Sequence, residues 1–366
     1  MIGIRADANS IIATGHVMRC ISIARAIKTM GEDVIFFVAD DESLKLLGSS
    51  ITENEFEVVV LGTDWQDMDS ESEKLIHELM TRNVKTLLVD SYQVTRTYFD
   101  KLKGVCRVAY LDDLNREAYP VNILINYSGY SIDMGYDEAY QDITGYNDEK
   151  TSLYLGLQYA PLRKQFYDPS SEADTDTDTI SSFAAKGLKH VLISTGGADM
   201  CGMLEPLIKM IQKGKLQETA IWHIVVGDYV ENPDRIVSLI DGCSNIVIHR
   251  SVRNMAYLMN RCDIAVMAAG TMLTECAACG LSTIFYQVAD NQKYNVVFWG
   301  ASEGMFFAGD VSKCEDNKAI VLDNIEDKII NYLNDTENLK VMSDSLKSIT
   351  DGRGAIRIAR ALMGQV

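Results

Sequence analysis

The sequence predicts an α/β protein of two doubly wound, parallel-sheet domains, and three observations carry that expectation. Strand-like apolar runs alternate with helix-period segments twice over, an apolar-poor stretch rich in Ser, Thr and Asp parts the two series, and glycine-bearing polar loops follow several strands. Such loops sit where an open parallel sheet presents its ligand edge. With 366 residues, 47% of them hydrophobic, the chain can fill two cores.

The first domain, expected over residues 1–165, opens with a strand at 1–4. Val17, Ile21, Ala24 and Ile27 then recur at near-helical spacing, which places Gly15 and His16 where the first strand's carboxyl end meets the first helix's amino end. Helix N–H groups without internal partners favour an anion there, and a neutral imidazole can take a proton from water or a hydroxyl. The same histidine reads equally well as a helix cap. Further strands are expected at 33–39, 57–61, 84–89, 107–111 and 121–125, with helices at 71–82 and 95–103. Tyr92 falls just past the 84–89 strand. Asp112 and Asp113 fall just past the 107–111 strand, where capping or loop positioning is the expected role. The tyrosines at 127, 130, 136, 140 and 146 are expected to pack as a lobe.

Residues 166–185 read as an acidic, solvated linker. Its Asp174, Asp176 and Asp178 have the spacing that opens a calcium loop, but Thr179 and Ala185 stand where that loop needs Gly and Glu.

The second domain, expected over 186–338, repeats the rhythm with strands at 189–194, 221–226, 245–248, 263–268 and 282–286 and helices at 203–212, 253–260 and 271–278. After its first strand comes Thr195-Gly196-Gly197-Ala198-Asp199, where two glycines let backbone approach a phosphate and Asp199 can cap the next helix. After the fourth, Gly270 and Thr271 open a helix with Glu275 about one turn in, amides for a pyrophosphate and a carboxylate for a ribose diol. Ordinary turn and cap chemistry accounts for each segment taken singly. Asn291 and Gln292, past the fifth strand, offer paired amides to sugar hydroxyls or an acetamido group, and Asp290 beside them reads as a cap. A final helical segment, 339–366, is expected to cross back to the first domain.

Composition excludes several function classes. Fifty-two acidic against 34 basic residues give a net charge of −18, which repels nucleic acid and anionic membranes, so an anionic substrate must be held by local groups. No segment reads as a signal peptide or a spanning helix, and the expectation is a cytoplasmic protein. The cysteines at 20, 106, 201, 243, 262, 276, 279 and 314 lie in apolar surroundings without disulfide-scaffold spacing; Cys276-Ala-Ala-Cys279 has redox spacing but no second pair, and packing is expected. His77, His190, His223 and His249 are expected to be structural or surface residues. No metal or cofactor is expected, and the oligomeric state is open, a monomer included.

In order along the chain, the opening run Arg5-Ala-Asp-Ala-Asn-Ser with Gly15-His16-Val-Met-Arg19-Cys20, the Gly-Gly-x-Asp turn, the Ala-Gly-Thr-x-x-x-Glu helix start and the Asn291-Gln292 pair resemble the PseG family of UDP-sugar hydrolases, relatives of MurG and its GT-B glycosyltransferases. The resemblance runs from Met1 to about Gly300. It implies a GT-B-like fold, two Rossmann-type domains facing across a cleft. It further implies that His16 activates water for attack on the anomeric carbon of a UDP-linked 2,4-diacetamido-2,4,6-trideoxyhexose, a step of pseudaminic acid biosynthesis, and that Tyr92 positions that water. Gly15 and Arg19 would contact the substrate, Gly196, Gly197, Gly270 and Thr271 the diphosphate, Glu275 the ribose, the Val252 backbone the uracil, and Asn291 and Gln292 the sugar. Ser91 stands where the family often has histidine. A glycosyltransferase, with His16 deprotonating an acceptor hydroxyl, and a non-catalytic nucleotide-sugar-binding subunit are the alternatives.

Overall fold

The computed structural model describes residues 1–9, 11–12, 15–168, 187–213, 216–313 and 315–365. They divide into two compact units, one of Met1–Arg163 with Gly352–Val366 and the other of Lys164–Asp351.

The first unit carries strands β1 (Ile2–Ala6), β2 (Val34–Val38), β3 (Glu57–Val60), β4 (Thr86–Asp90), β5 (Arg107–Leu111), β6 (Ile123–Asn126) and β7 (Ser152–Leu155). They form one parallel sheet in the order β3-β2-β1-β4-β5-β6-β7. Its helices are α1 (Gly15–Thr29), α2 (Asp41–Ser50), α3 (Met68–Thr81), α4 (Arg96–Leu102) and the short α5 (Tyr136–Ala139). Helices cover both faces, so central strands such as Ile-Gly-Ile-Arg-Ala and Val-Ile-Phe-Phe-Val are buried at every residue. Ile2, Ile4, Phe36 and Leu88 pack on one face and Phe37, Leu87, Val89 and Tyr98 on the other. Gly3 is required by the second face: a Cβ there would lie 3.0 to 3.1 Å from Phe37, Leu87 and Val84.

The second unit repeats the scheme with β8 (Lys189–Ser194), β9 (Ala220–Val226), β10 (Ile246–Arg250), β11 (Ile264–Ala268), β12 (Ser282–Gln287) and β13 (Met305–Asp310), parallel in the order β10-β9-β8-β11-β12-β13. Its helices are α6 (Leu204–Lys213), α7 (Pro233–Leu239), α8 (Met255–Met259), α9 (Met272–Cys279), α10 (Lys293–Gly300), α11 (Glu315–Asn334) and α12 (Thr336–Ile349); α13 (Gly354–Leu362) belongs to the first unit.

In both sheets the strand order reverses once, between β1 and β4 and between β8 and β11, which is where doubly wound sheets open a ligand crevice. The loop into α1 and the residues ending β4 flank the first reversal. The Thr195–Asp199 turn and the Ala268–Thr271 turn flank the second.

Several boundaries differ from expectation. The 339–366 segment is two helices: α12 packs on α9 with Leu339 in the second core, and only α13 returns, placing Ala355, Ile358, Ala359 and Leu362 in the α1 core. Gly352, at φ +72°, makes the break. The helix expected at 253–260 begins at Met255 because Asn254 caps it, accepting from the Tyr257 N–H. Strands β7 and β13 and helices α2, α5, α7, α10 and α11 escaped the sequence reading. Of the linker expected over 166–185, Phe166 is buried at the end of a short helical turn, Lys164–Phe166, and residues 169–185, with the calcium-loop spacing, lie outside the described residues.

Candidate active site

Arg5, on β1, is fully buried, and its Nε and Nη2 each meet a Glu71 oxygen at 2.7 Å while Nη1 pairs with Asp7 at 2.6 Å. Tyr98 donates to Glu71 at 3.0 Å. This knot fixes the end of β1 against α3 and satisfies a charge that burial would otherwise expel. Asp7 also accepts the Ala39 N–H, and the loop beyond it is turned by Asn9, whose Oδ1 accepts from the Ile11 and Ile12 N–H groups.

His16 follows that loop at the start of α1, 9% exposed. It does not cap the helix: its Nδ1 lies 2.5 Å from Oδ1 of Asp90, the last residue of β4. The Arg19 guanidinium and the hydrogen-bonded His16 hold the Asp90 carboxyl well below the usual carboxylate range despite complete burial. An ionised Asp90 accepts only, so Nδ1 carries the ring proton and Nε2 keeps the lone pair of a base.

Arg19 is the hub. Its Nε and Nη2 meet the two Asp90 oxygens at 2.6 and 2.5 Å, and its Nη1 meets Asp113 at 3.1 Å and the Tyr127 hydroxyl at 2.8 Å. Those contacts tie Arg19, expected to contact substrate, into the Asp90–Asp113–Tyr127 network that braces His16. Tyr92 donates its hydroxyl to Asp113 at 2.6 Å and sets its ring edge-on to His16, centroids 4.8 Å apart. Burial and Asp113 push the Tyr92 phenol up, so it stays a donor. Asp112 keeps the expected loop role, accepting from the Leu114 and Asn115 N–H groups, whereas Asp113 serves the His16 network. A cavity of about 10 Å³ lies here, lined by Asp7, Ile12, His16, Trp65, Asp90, Ser91, Tyr92 and Gln93. That is close to the space one water needs.

The second unit's edge is made of backbone. Gly196 has φ +86°, and Asp199 caps α6 by accepting from the Met203 and Leu204 N–H groups. A Cβ on Gly270 would meet nothing within 4 Å, and Thr271 makes no side-chain cap bond to α9; the Gly270 N–H donates to the Ala268 carbonyl at 2.7 Å, and the Gly270 and Thr271 carbonyls accept from the Leu273 and Thr274 N–H groups. Glu275 is half-buried in the first turn of α9, and Val252 is half-buried between β10 and α8. Gln292 folds back, its Oε1 accepting from the Val288 N–H at 2.9 Å, while Asn291 is exposed. Asp290 is no cap; it pairs with Lys313 at 2.8 Å and Lys293 at 3.5 Å. Gly15, at the start of α1, has open space where a Cβ would point.

Residues that sequence reasoning missed are Asp90, Asp113's partnership with Arg19, Trp65 and Tyr229. Asp90 was legible as the carboxylate ending a strand two residues before Tyr92. Tyr229, 71% exposed, donates its N–H to the Gly197 carbonyl at 3.0 Å and lays its ring edge against Gly197. Cys276 and Cys279 are buried in α9, and burial pushes the Cys279 thiol up to about 12, which makes it inert. Among the described residues no cluster of His, Cys, Asp or Glu is arranged to hold a metal, and no helix is long and apolar enough to cross a membrane.

No family model matches the chain. An uncharacterized protein of Methanocaldococcus jannaschii is 22% identical over 293 residues, 77% of this chain, and the chain spans 54% of that relative's length. Among solved structures, MurG of Acinetobacter baumannii superposes with a TM-score of 0.66 at 12% identity over 99% of both chains. A UDP-GlcNAc 2-epimerase of Neisseria meningitidis, solved with UDP-GlcNAc, gives 0.63 at 12% identity over 100% of both, and a glycosyltransferase of Rickettsia africae 0.60 at 12% over 100% and 99%. The fold is therefore GT-B-like, the one shared with these glycosyltransferases and the epimerase.

Proposed function

We propose that this protein hydrolyses a UDP-linked 2,4-diacetamido-2,4,6-trideoxyhexose, releasing UDP with inversion at the anomeric carbon, as a step in making a pseudaminic-acid-type sugar. The observation that carries the reading is the His16–Asp90 pair beside a cavity with room for about one water. Asp90 fixes the tautomer, His16 Nε2 takes the proton, and Tyr92 orients the water as it attacks. The departing diphosphate's charge would be received at the Gly196–Gly197 and Gly270–Thr271 turns, by the amides of Gly196, Gly197 and Thr271 with Gly270 leaving room for close approach, with Glu275 on the ribose, the Val252 backbone on the uracil and Tyr229 offering its face to the base. Asn291 and Gln292 would hold the sugar. Gly15 would let a ligand approach the start of α1.

MurG and the glycosyltransferases among the structural neighbours favour a second reading, in which a sugar hydroxyl replaces the water. Incubation of the pure protein with UDP-linked diacetamido-trideoxyhexoses, without acceptor, separates the two. Stoichiometric UDP and a free sugar of inverted configuration support the hydrolase. UDP release that waits on an added acceptor supports the transferase.

A further inference from the structure

In an ordinary carboxylate–histidine pair the carboxylate keeps its full charge, stabilises the imidazolium and raises the ring's basicity. Here the carboxylate is already taken. Arg19 approaches Asp90 with both Nε and Nη2, at 2.6 and 2.5 Å, and the oxygen that receives Nη2 is the one that receives His16 Nδ1. The second oxygen also accepts from the Cys20 thiol at 3.5 Å. Arg19 Nη2 itself stands 3.2 Å from His16 Nδ1, so a positive charge lies next to the ring that would become positive. Both contacts act in the same sense, against the imidazolium.

We propose that Arg19 is a positioning residue that holds down the basicity of His16 by sharing Asp90 with it. The proposal rests on the reading of His16 as the base, and it states what tunes that base. Its neighbours on every side are accounted for. Asp7, on the loop after β1, is neutralised by Arg5 and the Ala39 N–H; Asp113, after β5, is divided between Arg19 and Tyr92; Tyr127, after β6, accepts from Arg19; and Cys20, on α1, is pushed up by burial and by Asp90. Arg19 is the one cation on the His16 side of this set.

The test is a proton NMR titration of the imidazole signals of the full-length protein, with His16→Gln identifying the His16 resonance. Wild type is compared with Arg19→Met, which removes the charge, and Arg19→Lys, which keeps it without the fork. The expected result is a His16 midpoint about one pH unit higher in Arg19→Met and a much smaller rise in Arg19→Lys. Unchanged midpoints in both variants overturn the proposal, as does a fall. The titration needs no substrate, so it stands apart from the hydrolase reading. The acid limb of kcat/KM, measured in parallel, should move with the midpoint. A midpoint that rises while the limb stays put supports the tuning and removes His16 as the base. A merely structural Arg19 would lower activity and leave the midpoint alone.

Discussion

The two units fold alike and equip themselves in opposite ways. At the sheet reversal of the first, the chain gathers charged side chains and locks them together: Arg5 with Glu71 and Asp7, and Arg19 with Asp90 and Asp113. At the reversal of the second, it presents glycines and amides. Their histidines differ in the same sense. His16 sits against a carboxylate, whereas His190, His223 and His249, from three adjacent strands, stack on one another, with ring nitrogens 2.9 Å apart at each step and centroids 5.2 Å apart. Burial and the two flanking rings press His223 down to about 3. A histidine beside a carboxylate is placed to exchange protons; one walled in by other histidines is placed to stay neutral.

That contrast can be broken or sharpened by experiment. The largest effect is expected in the first unit. His16→Gln should lower turnover by about 10² to 10⁴-fold while UDP binding, followed by calorimetry, stays within a factor of two or three; retained turnover would remove the catalytic assignment. Asp90→Asn should come next, with a loss on the order of 10²-fold or more and its folding intact, because the amide no longer dictates the tautomer.

In the second unit the expected losses are of affinity. Gly196→Ala forces a side chain into φ +86°, a strain of about 1 kcal/mol or more, and should weaken UDP binding by roughly tenfold without moving the pH profile. Tyr229→Ala should weaken UDP binding but leave inorganic pyrophosphate binding unchanged, since only a base can stack on the ring.

The pH dependence of stability supplies the smallest and most local test. His223 has a folded pKa of about 3, below the ordinary histidine value of 6.5, so between those limits the unfolded chain binds a proton that the native one refuses. The stability is fully present above about 6.5 and declines as pH falls towards 3. The Asp90 carboxylate, depressed as it is, loses its contribution only below the ordinary carboxylate range. Acidification from pH 7 to 5 should therefore unfold the second unit before the first, seen as loss of protection in its β8–β10 amides by hydrogen exchange. Simultaneous loss in both sheets would refute the assignment.

Most of the architecture was legible because parallel strands buried on both faces are continuous apolar runs, and Ile2–Ala6 or Ile221–Val226 can be little else. The strands that escaped, β7 and β13, are edges: Ser152–Leu155 is half-exposed and four residues long, and β13 joins β12 across a register shift between Phe285 and Tyr286. The site followed the same rule. His16 and the glycine turns were visible because a polar residue between an apolar strand and an apolar helix needs a reason. Asp90 and Arg19 depend on a contact 71 residues apart along the chain, and no local pattern states that the guanidinium turns inward to a carboxylate rather than outward to a phosphate. The histidine ladder was hidden likewise. Its rungs come from β8, β9 and β10, and each alone looked like a strand residue of no account.

One glycine sets a limit of a different kind. A Cβ at Gly227 would stand 2.3 Å from the Gly197 carbonyl oxygen and 2.5 Å from that of Gly196. Two loops from neighbouring strands are thus laid directly on each other, main chain against main chain, and nothing thicker than a hydrogen atom fits between them. The curvature of the Gly196–Gly197 turn is therefore gauged from outside itself, by position 227. A change at that distant-looking residue would reshape the surface offered to a ligand without touching any atom that meets it.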